Sequence, residues 1–263
     1  MMKGLFNYET AFRTYINLLL ADFARDNIQY AEIRPNFMKT NQLLTDDGTH
    51  TIDNAGIMTI ITSATAAFHA ANPHSPFRGL KVIYCTPRIF TTELVAHALD
   101  ECLAFKLRWP DSIAGFDLVG EEATGHPLVY FVPQLLAFRA RCDALGLDLP
   151  FLFHCGETAD AGSASAANLL DALLLGARRI GHGFALPRHP YVLQHMKARA
   201  VCVELCPVSN EVLGLTQRVA GHAMYDLLAN NVHCTVSSDN GTLFKYIDSS
   251  PQAAPPPPPW LTD

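Results

Sequence analysis

The hydrophobic pattern at the start of the chain predicts a helix followed by a strand. Between Tyr8 and Ala24, apolar side chains recur at three- and four-residue steps, the spacing of one face of an α-helix. The apolar-rich run from Gln29 to Arg34 is typical of a strand. Glu32 and Arg34 lie two residues apart and therefore share one face of that strand. An ion pair inside the fold is their plainest interpretation.

The alternation of strand-like and helix-like segments continues along the chain. A polar stretch from Thr40 to Asn54 predicts a loop. Beyond it, short apolar runs predict strands at 80–85, 112–119, 150–154, 179–181, 200–205 and 231–237. Segments of helical period lie between them, at 57–71, 93–105, 132–145, 166–175, 191–198 and 220–229. This order is typical of βα units that build a parallel sheet, so the sequence predicts the α/β class.

The strand count predicts an incomplete barrel. Seven strands are one fewer than the eight of a (β/α)₈ barrel, and because the chain opens with a helix we expect the first strand to be the missing one. Five consecutive prolines at 255–259 cannot be helical, so the last helix is expected to be absent too. We expect one barrel domain over residues 1–250 and a disordered, proline-rich tail over residues 251–263. A barrel that lacks a strand has open edges, which predicts poor solubility.

Composition narrows the functional classes. A chain of 263 residues suits a single barrel domain, and 49% hydrophobic residues with a mean hydropathy of +0.12 favour many buried strands. The net charge of -6 and the pI near 6.0 argue against a nucleic-acid partner or an anionic membrane. No stretch reaches the roughly 18 apolar residues of a membrane span. Residues 1–9 lack the apolar core of a signal peptide.

The seven cysteines are odd in number and scattered along the chain. Four of them, Cys85, Cys155, Cys202 and Cys234, lie in apolar, strand-like runs, where a free thiol behaves as a small hydrophobic group. We therefore expect reduced core cysteines and no disulfide framework. Cys202 and Cys206 have the spacing CxxxC, which without a second Cys or His pair nearby is weak evidence for a structural zinc site.

Four predicted strands end in polar residues, within the segments 151–157, 179–183, 205–210 and 235–240. Strand ends of a parallel barrel face its pocket. Each polar group has an ordinary explanation when taken alone: His154 and His182 as structural hydrogen bonders, and Asp239 as a helix N-cap. Together with Glu157, at strand ends of one barrel, they indicate a catalytic pocket.

These residue types match the chemistry of purine deamination. Water must attack an aromatic carbon, and bound Zn²⁺ supplies hydroxide near neutral pH because it lowers the pKa of its water to about 7. A carboxylic acid must protonate a ring nitrogen so that the ring accepts the incoming charge. A further His or Asp must hold and deprotonate the water.

The segments closely resemble the adenosine deaminase family, and particularly its secreted, growth-factor-like subgroup. The resemblance covers most of the chain, at residues 30–34, 116–122, 154–158, 179–184, 206–210 and 237–244. It implies zinc-dependent, hydrolytic deamination of adenosine or 2′-deoxyadenosine to inosine or 2′-deoxyinosine and ammonia. It also implies an extracellular location, which nothing else in the chain indicates.

The resemblance assigns a role to each strand-end residue. His154 and Asp239 are implied to ligate zinc, with Asp239 also catalytic. Glu157 is the acid that protonates the purine ring. His182 positions and deprotonates the zinc-bound water. Gly120 offers its backbone N–H to the other edge of the purine.

Two departures from the family pattern are visible. The usual Asp-Asp pair reads Asp239-Asn240 here, and an Asn still hydrogen-bonds to a purine but brings no charge, so weaker substrate binding or a shifted base preference is expected. The family's His-x-His pair, which supplies two zinc ligands, has no counterpart among the eleven histidines. The alternative is therefore a catalytically inactive fragment or a binding protein of the same fold. A nucleotide deaminase is less favoured, since no Arg/Lys cluster for a phosphate lies beside the motifs.

Overall fold

The computed structural model describes residues 6–39, 42–160 and 162–240. Strands and helices alternate along this part of the chain. The strands are β1 (Tyr30–Ile33), β2 (Leu43–Leu44), β3 (Thr51–Ile52), β4 (Gly79–Pro87), β5 (Ile113–Val119), β6 (Leu152–Cys155), β7 (Arg179–His182), β8 (Cys202–Leu205) and β9 (Cys234–Val236). The helices are α1 (Glu9–Arg25), α2 (Asn54–Ala71), α3 (Thr92–Arg108), α4 (Val132–Ala144), α5 (Asn168–Leu174), α6 (Pro190–Ala198), α7 (Pro207–Val212) and α8 (Met224–Ala229).

Seven of these strands run parallel in chain order, which confirms the predicted α/β class. One sheet has the order β1-β4-β5 and another the order β6-β7-β8-β9, and every pairing within them is parallel. An isolated parallel bridge between Phe116 and Phe151 joins β5 to β6. The amide of Phe116 also donates to the carbonyl of Pro150 at 3.0 Å. The two sheets therefore continue one another as a single series of strands.

Ion pairs cross the inside of this series. Arg34, just after β1, donates to Glu204 of β8 at 2.9 Å, and Arg179 of β7 pairs with Glu32 of β1. Strands at opposite ends of the sequence thus approach each other, as they do in a barrel. The predicted interior ion pairing is present, but Glu32 and Arg34 each pair with strands across the barrel rather than with each other.

The core consists of apolar side chains from both faces of the strands. Three of its rings, Phe116 of β5, Phe138 of α4 and Phe151 beside β6, are at most 2% exposed. The ring centroid of Phe138 lies 6.0 Å from that of Phe116 and 5.9 Å from that of Phe151. A side chain caps the start of α2, where Asp53 accepts from the amide of Gly56 at 2.8 Å.

One local prediction was wrong, and one short helix was missed. The predicted loop at 40–54 contains the antiparallel pair β2–β3, in which Leu43 pairs with Ile52 and Leu44 with Thr51. The six-residue helix α7 was not predicted, because six residues are too few to show a helical period. The expected absence of a last helix and the tail at 251–263 lie outside the described residues.

All seven cysteines are free, and five of them are buried. Within residues 6–39, 42–160 and 162–240, none of the helices combines the length and apolarity needed to cross a membrane.

Candidate active site

The candidate site lies at the carboxyl ends of β5, β6 and β7. His154 pairs in register with Gly181, and Cys155 pairs with His182, so two neighbouring strands deliver the two imidazoles side by side. Their ring centroids are 5.1 Å apart. The two predicted histidines therefore share one region of the fold.

His154 is held by a carboxylate from the neighbouring strand. Its Nδ1 lies 2.7 Å from Oδ2 of Asp117 on β5, and its backbone N–H donates to Oδ1 of the same residue at 2.9 Å. The Nε of Arg34 donates to Asp117 at 2.8 Å. Burial raises the pKa of Asp117, but the charges of His154 and Arg34 and the hydrogen bonds from His154 outweigh it and lower that pKa to about 2. Asp117 is thus ionised and fixes the orientation of His154.

Glu157 combines burial with neighbouring negative charge. Gly156 precedes it with φ 71°, a left-handed turn that favours glycine. Burial, partly offset by His154 and reinforced by the charges of Asp239 and Glu122, raises the pKa of Glu157 to about 7. Its Oε1 lies 3.4 Å from Nε2 of His182. A substantial fraction of Glu157 is therefore a neutral acid at neutral pH.

A buried carboxylate holds the turn that carries Glu157. Both oxygens of Glu122 accept backbone N–H groups of this turn, from Gly156 at 3.1 Å and from Glu157 at 2.5 Å. The side chain of Asn168 donates to Glu122 at 2.7 Å. The buried Arg88 donates to the carbonyl of His154 at 2.6 Å. Sequence reasoning noted Glu122 only within a matching segment and did not assign this role, because the contact joins residues 34 and 35 positions apart.

His182 is the most constrained of the predicted residues. It is 1% exposed and has φ 65°, a left-handed conformation that is uncommon for a residue with a side chain. Burial, with the nearby charges of His154 and Arg34, lowers its pKa well below the ordinary value. His182 is therefore neutral at neutral pH. Its Nδ1 lies 3.0 Å from Nδ2 of Asn210, a contact that sequence reasoning did not foresee.

The remaining predicted residues lie at the rim. Asp239 follows β9 with φ 53° and is exposed, and its charge contributes to the raised pKa of Glu157. Asn240 is exposed and is the last residue described. Gly120 follows β5 with φ 101°, and no atom lies within 4 Å of the place a Cβ would occupy, so the backbone is open to a flat ligand.

The fit of these residues to zinc is partial. His154 has one nitrogen engaged by a carboxylate, the usual arrangement behind a metal-ligating histidine. Across residues 6–39, 42–160 and 162–240, however, no group of three or more His, Cys, Asp or Glu side chains is arranged to hold a metal ion. A catalytic zinc site normally takes three protein ligands. The described side chains alone do not complete one.

Comparison with solved structures supports the fold. An Arabidopsis protein named ADAL, solved with GMP, superposes with a TM-score of 0.69 at 19% identity and covers 89% of this chain and 63% of its own. An amidohydrolase of B. ambifaria with bound Zn gives a TM-score of 0.70 at 19% identity, over 91% of this chain and 60% of its own. At this level of identity the likeness shows the architecture alone, which is that of the barrel deaminases.

Sequence comparison shows the family. Human adenosine deaminase 2 is 34% identical over 243 residues, which are 92% of this chain. The same alignment spans 46% of the human protein, so the chain has about half the length of the curated relatives it matches. The profile of the family described as adenosine deaminase matches residues 4–252. This chain belongs to the adenosine deaminase family.

Proposed function

We propose that this protein is a hydrolase that removes the 6-amino group of adenosine or 2′-deoxyadenosine, giving inosine or 2′-deoxyinosine and ammonia. The observation that carries the proposal is the grouping of His154, Glu157 and His182 at one strand edge, with the pKa of Glu157 raised to about 7. Aromatic deamination needs an acid that is still protonated at neutral pH, and an exposed glutamate is not.

In this proposal each residue contributes to one step. Glu157 donates its proton to a ring nitrogen of the purine, which lets the ring accept the attacking water. His182, 3.4 Å from Glu157, positions that water. One proton of the water restores the Glu157 carboxyl, and the other leaves with the amino group as ammonia. Gly120 presents open backbone to the purine, and Asn240 contacts the ring as a neutral hydrogen-bonding group.

We further propose that His154 and Asp239 are two of the ligands of a catalytic Zn²⁺. The carboxylate on Nδ1 of His154 and the zinc in the B. ambifaria neighbour support this assignment. When bound, the ion would make hydroxide available near neutral pH. The described side chains supply no group of three ligands. The acid role of Glu157 does not depend on its being a ligand, so zinc dependence and acid catalysis are tested separately.

Ammonia release from adenosine tests the proposal. We expect Glu157→Gln to abolish turnover and leave the metal content unchanged, because Glu157 donates a proton and is not a ligand. General acid catalysis of this kind contributes about 10²- to 10⁴-fold. Glu93→Gln, at the exposed start of α3, is the matched control and should retain full activity. Turnover by Glu157→Gln at the parental rate would refute the assigned role.

His154→Ala tests the ligand role. We expect metal to be lost from this variant, and activity with it, as measured by elemental analysis after dialysis. Retention of all the parental zinc would show that His154 is not a ligand.

The competing function is a purine-binding protein of the same fold without catalysis. It predicts that adenosine binds, for example in calorimetry, while no ammonia is released at any zinc concentration. By the resemblance to the secreted subgroup we also propose an extracellular location, which is tested by whether the natural gene product appears in the culture medium.

A further inference from the structure

A buried chain of polar side chains lies behind His182. Nδ2 of Asn210 is 3.0 Å from Nδ1 of His182, and Oδ1 of Asn210 is 2.8 Å from Nε2 of His222. The backbone N–H of Met224 donates to Nδ1 of His222 at 2.9 Å. His182, Asn210 and His222 are at most 2% exposed. These three side chains connect the end of β7 to α7 and to the start of α8, and all three are buried away from water.

The direction of these hydrogen bonds follows from the backbone group at their end. The N–H of Met224 can only donate, so Nδ1 of His222 must accept. A neutral His222 therefore carries its proton on Nε2, which donates to Oδ1 of Asn210. That contact fixes the orientation of the amide, so the NH₂ group of Asn210 donates to Nδ1 of His182. An accepting Nδ1 leaves the proton of neutral His182 on Nε2.

The accepting nitrogens require both rings to be neutral, because a doubly protonated imidazole has no acceptor. Neither ring faces a carboxylate through the atoms that bond to Asn210. The three side chains are thus linked by hydrogen bonds between neutral groups, and the backbone N–H of Met224 sets the direction of donation along them.

We propose that Asn210 and His222 are positioning residues that hold His182 in the tautomer with its proton on Nε2. This nitrogen is the one that faces Glu157, 3.4 Å away. The effect of this tautomer on catalysis rests on the proposed function. With its proton on Nε2, His182 donates a hydrogen bond to the oxygen of the attacking water and so positions that water. The resemblance implied that His182 also deprotonates the water, and this hydrogen-bond direction argues against that role. Acceptance of a proton at Nε2 would require the amide of Asn210 to turn over, against the donor of His222.

A merely structural role for the same contacts is the alternative. Hydrogen bonds from Asn210 would then hold α7 and α8 in place, and the position of the proton on His182 would not depend on them. The two roles differ in one measurable quantity, which is whether each ring nitrogen of His182 is protonated.

Nitrogen NMR of the full chain, labelled with ¹⁵N-histidine, measures this quantity directly. Comparison with His182→Gln identifies the signals of His182. In the parent we expect an unprotonated Nδ1 and a protonated Nε2. Asn210→Asp keeps the shape of the side chain but presents only acceptor oxygens, so Nδ1 of His182 should become protonated. A parent with its proton on Nδ1, or no change of Nδ1 in a folded Asn210→Asp variant, would overturn the proposal.

Two matched variants of His222 test the other end of these hydrogen bonds. Unlike Asn210→Asp, neither variant places a carboxylate in the buried interior. His222→Gln can retain a donor toward Asn210, whereas His222→Phe keeps a ring against Phe184 but removes the donor. We expect the parental tautomer of His182 in the Gln variant and a mixture of both tautomers in the Phe variant. The same single tautomer in both variants would contradict a role for His222.

Kinetics provide the functional readout. If the protein deaminates adenosine, Asn210→Asp should lower kcat by on the order of 100-fold and change KM by less than about threefold, since a wrong histidine tautomer lowers kcat by about 10⁴-fold in serine proteases. The NMR result needs neither substrate nor metal. Absence of any deamination in the parent would therefore refute the proposed function and leave the tautomer assignment to be decided by the spectra.

Discussion

At the scale of single residues, burial sets the protonation states of the site. Glu157 and His182 lie 3.4 Å apart, and burial disfavours the charged form of each. It raises the pKa of the carboxyl to about 7 and lowers that of the imidazole. The pair is therefore held closer to neutral acid and neutral ring than to an ion pair, which suits proton donation by Glu157.

The raised pKa of Glu157 makes folding stability depend on pH. The carboxyl titrates near 4.5 when unperturbed and near 7 in the folded protein. Between these values the folded state binds more protons than the unfolded state, so this group lowers stability as pH rises from about 4.5 to 7. Glu157→Gln removes that decline. We expect its stability relative to the parent to rise by about 1–3 kcal/mol between pH 4.5 and pH 8.

Urea unfolding of both proteins at several pH values measures this difference. The exposed Glu121→Gln, in the neighbouring turn, is the control and should stay within about 0.5 kcal/mol of the parent at every pH. A difference for Glu157→Gln that does not vary with pH would show that burial does not shift its pKa.

At the scale of elements, the turn after β6 depends on a carboxylate from the turn after β5. Glu122 accepts both amides of Gly156 and Glu157, and Arg88 donates to the carbonyl of His154. These contacts fix the strand-to-loop turn that carries His154, predicted as a zinc ligand, and Glu157, predicted as the catalytic acid. The turn is therefore held by two separate elements rather than by its own sequence.

Glu122→Gln tests the importance of this support. Gln offers one acceptor and one NH₂ group in place of two acceptors, so at least one buried N–H loses its partner. We expect a loss of about 1–3 kcal/mol in the free energy of unfolding. Glu121→Gln, adjacent in sequence but exposed, again provides the control. Equal stability of the two variants in urea would show that the turn does not need Glu122.

At the scale of the whole molecule, seven parallel strands bring distant segments to one edge. His154, Glu157 and His182 lie at the ends of the consecutive strands β6 and β7. Asp117 of the preceding strand β5 contacts His154, and Arg34, far away in the sequence just after β1, contacts Asp117. The series of described strands begins with β1 and finishes with β9, which pairs with β8. If His154 and Asp239 ligate zinc as proposed, a complete site needs at least one more protein ligand.

We expect the chain to bind less than one zinc per molecule, because its described side chains form no group of three ligands. Elemental analysis of protein purified with added zinc, then dialysed against metal-free buffer, measures the stoichiometry. The His154→Ala variant sets the background of adventitious zinc. One zinc per chain that survives dialysis would contradict the expectation.

The sequence by itself determined the α/β class, most strand positions and the grouping of His154, Glu157 and His182. The physical reason is that parallel strands have short apolar runs, and their polar ends meet at one edge. It did not determine α7, the β2–β3 pair, or the partners of Glu32 and Arg34. The ion-pair partners depend on contacts between residues far apart in the chain, whereas α7 and the strands β2 and β3 are too short to show a periodic pattern.

Only the tertiary structure decided the protonation state of each residue of the candidate site. The pKa of Glu157 depends on its burial and on the charges of Asp239 and Glu122, none of which follows from the segment around it. The link from His182 through Asn210 to His222 joins three separate elements. A residue type fixes which hydrogen bonds are possible, but burial and neighbours fix which proton is present.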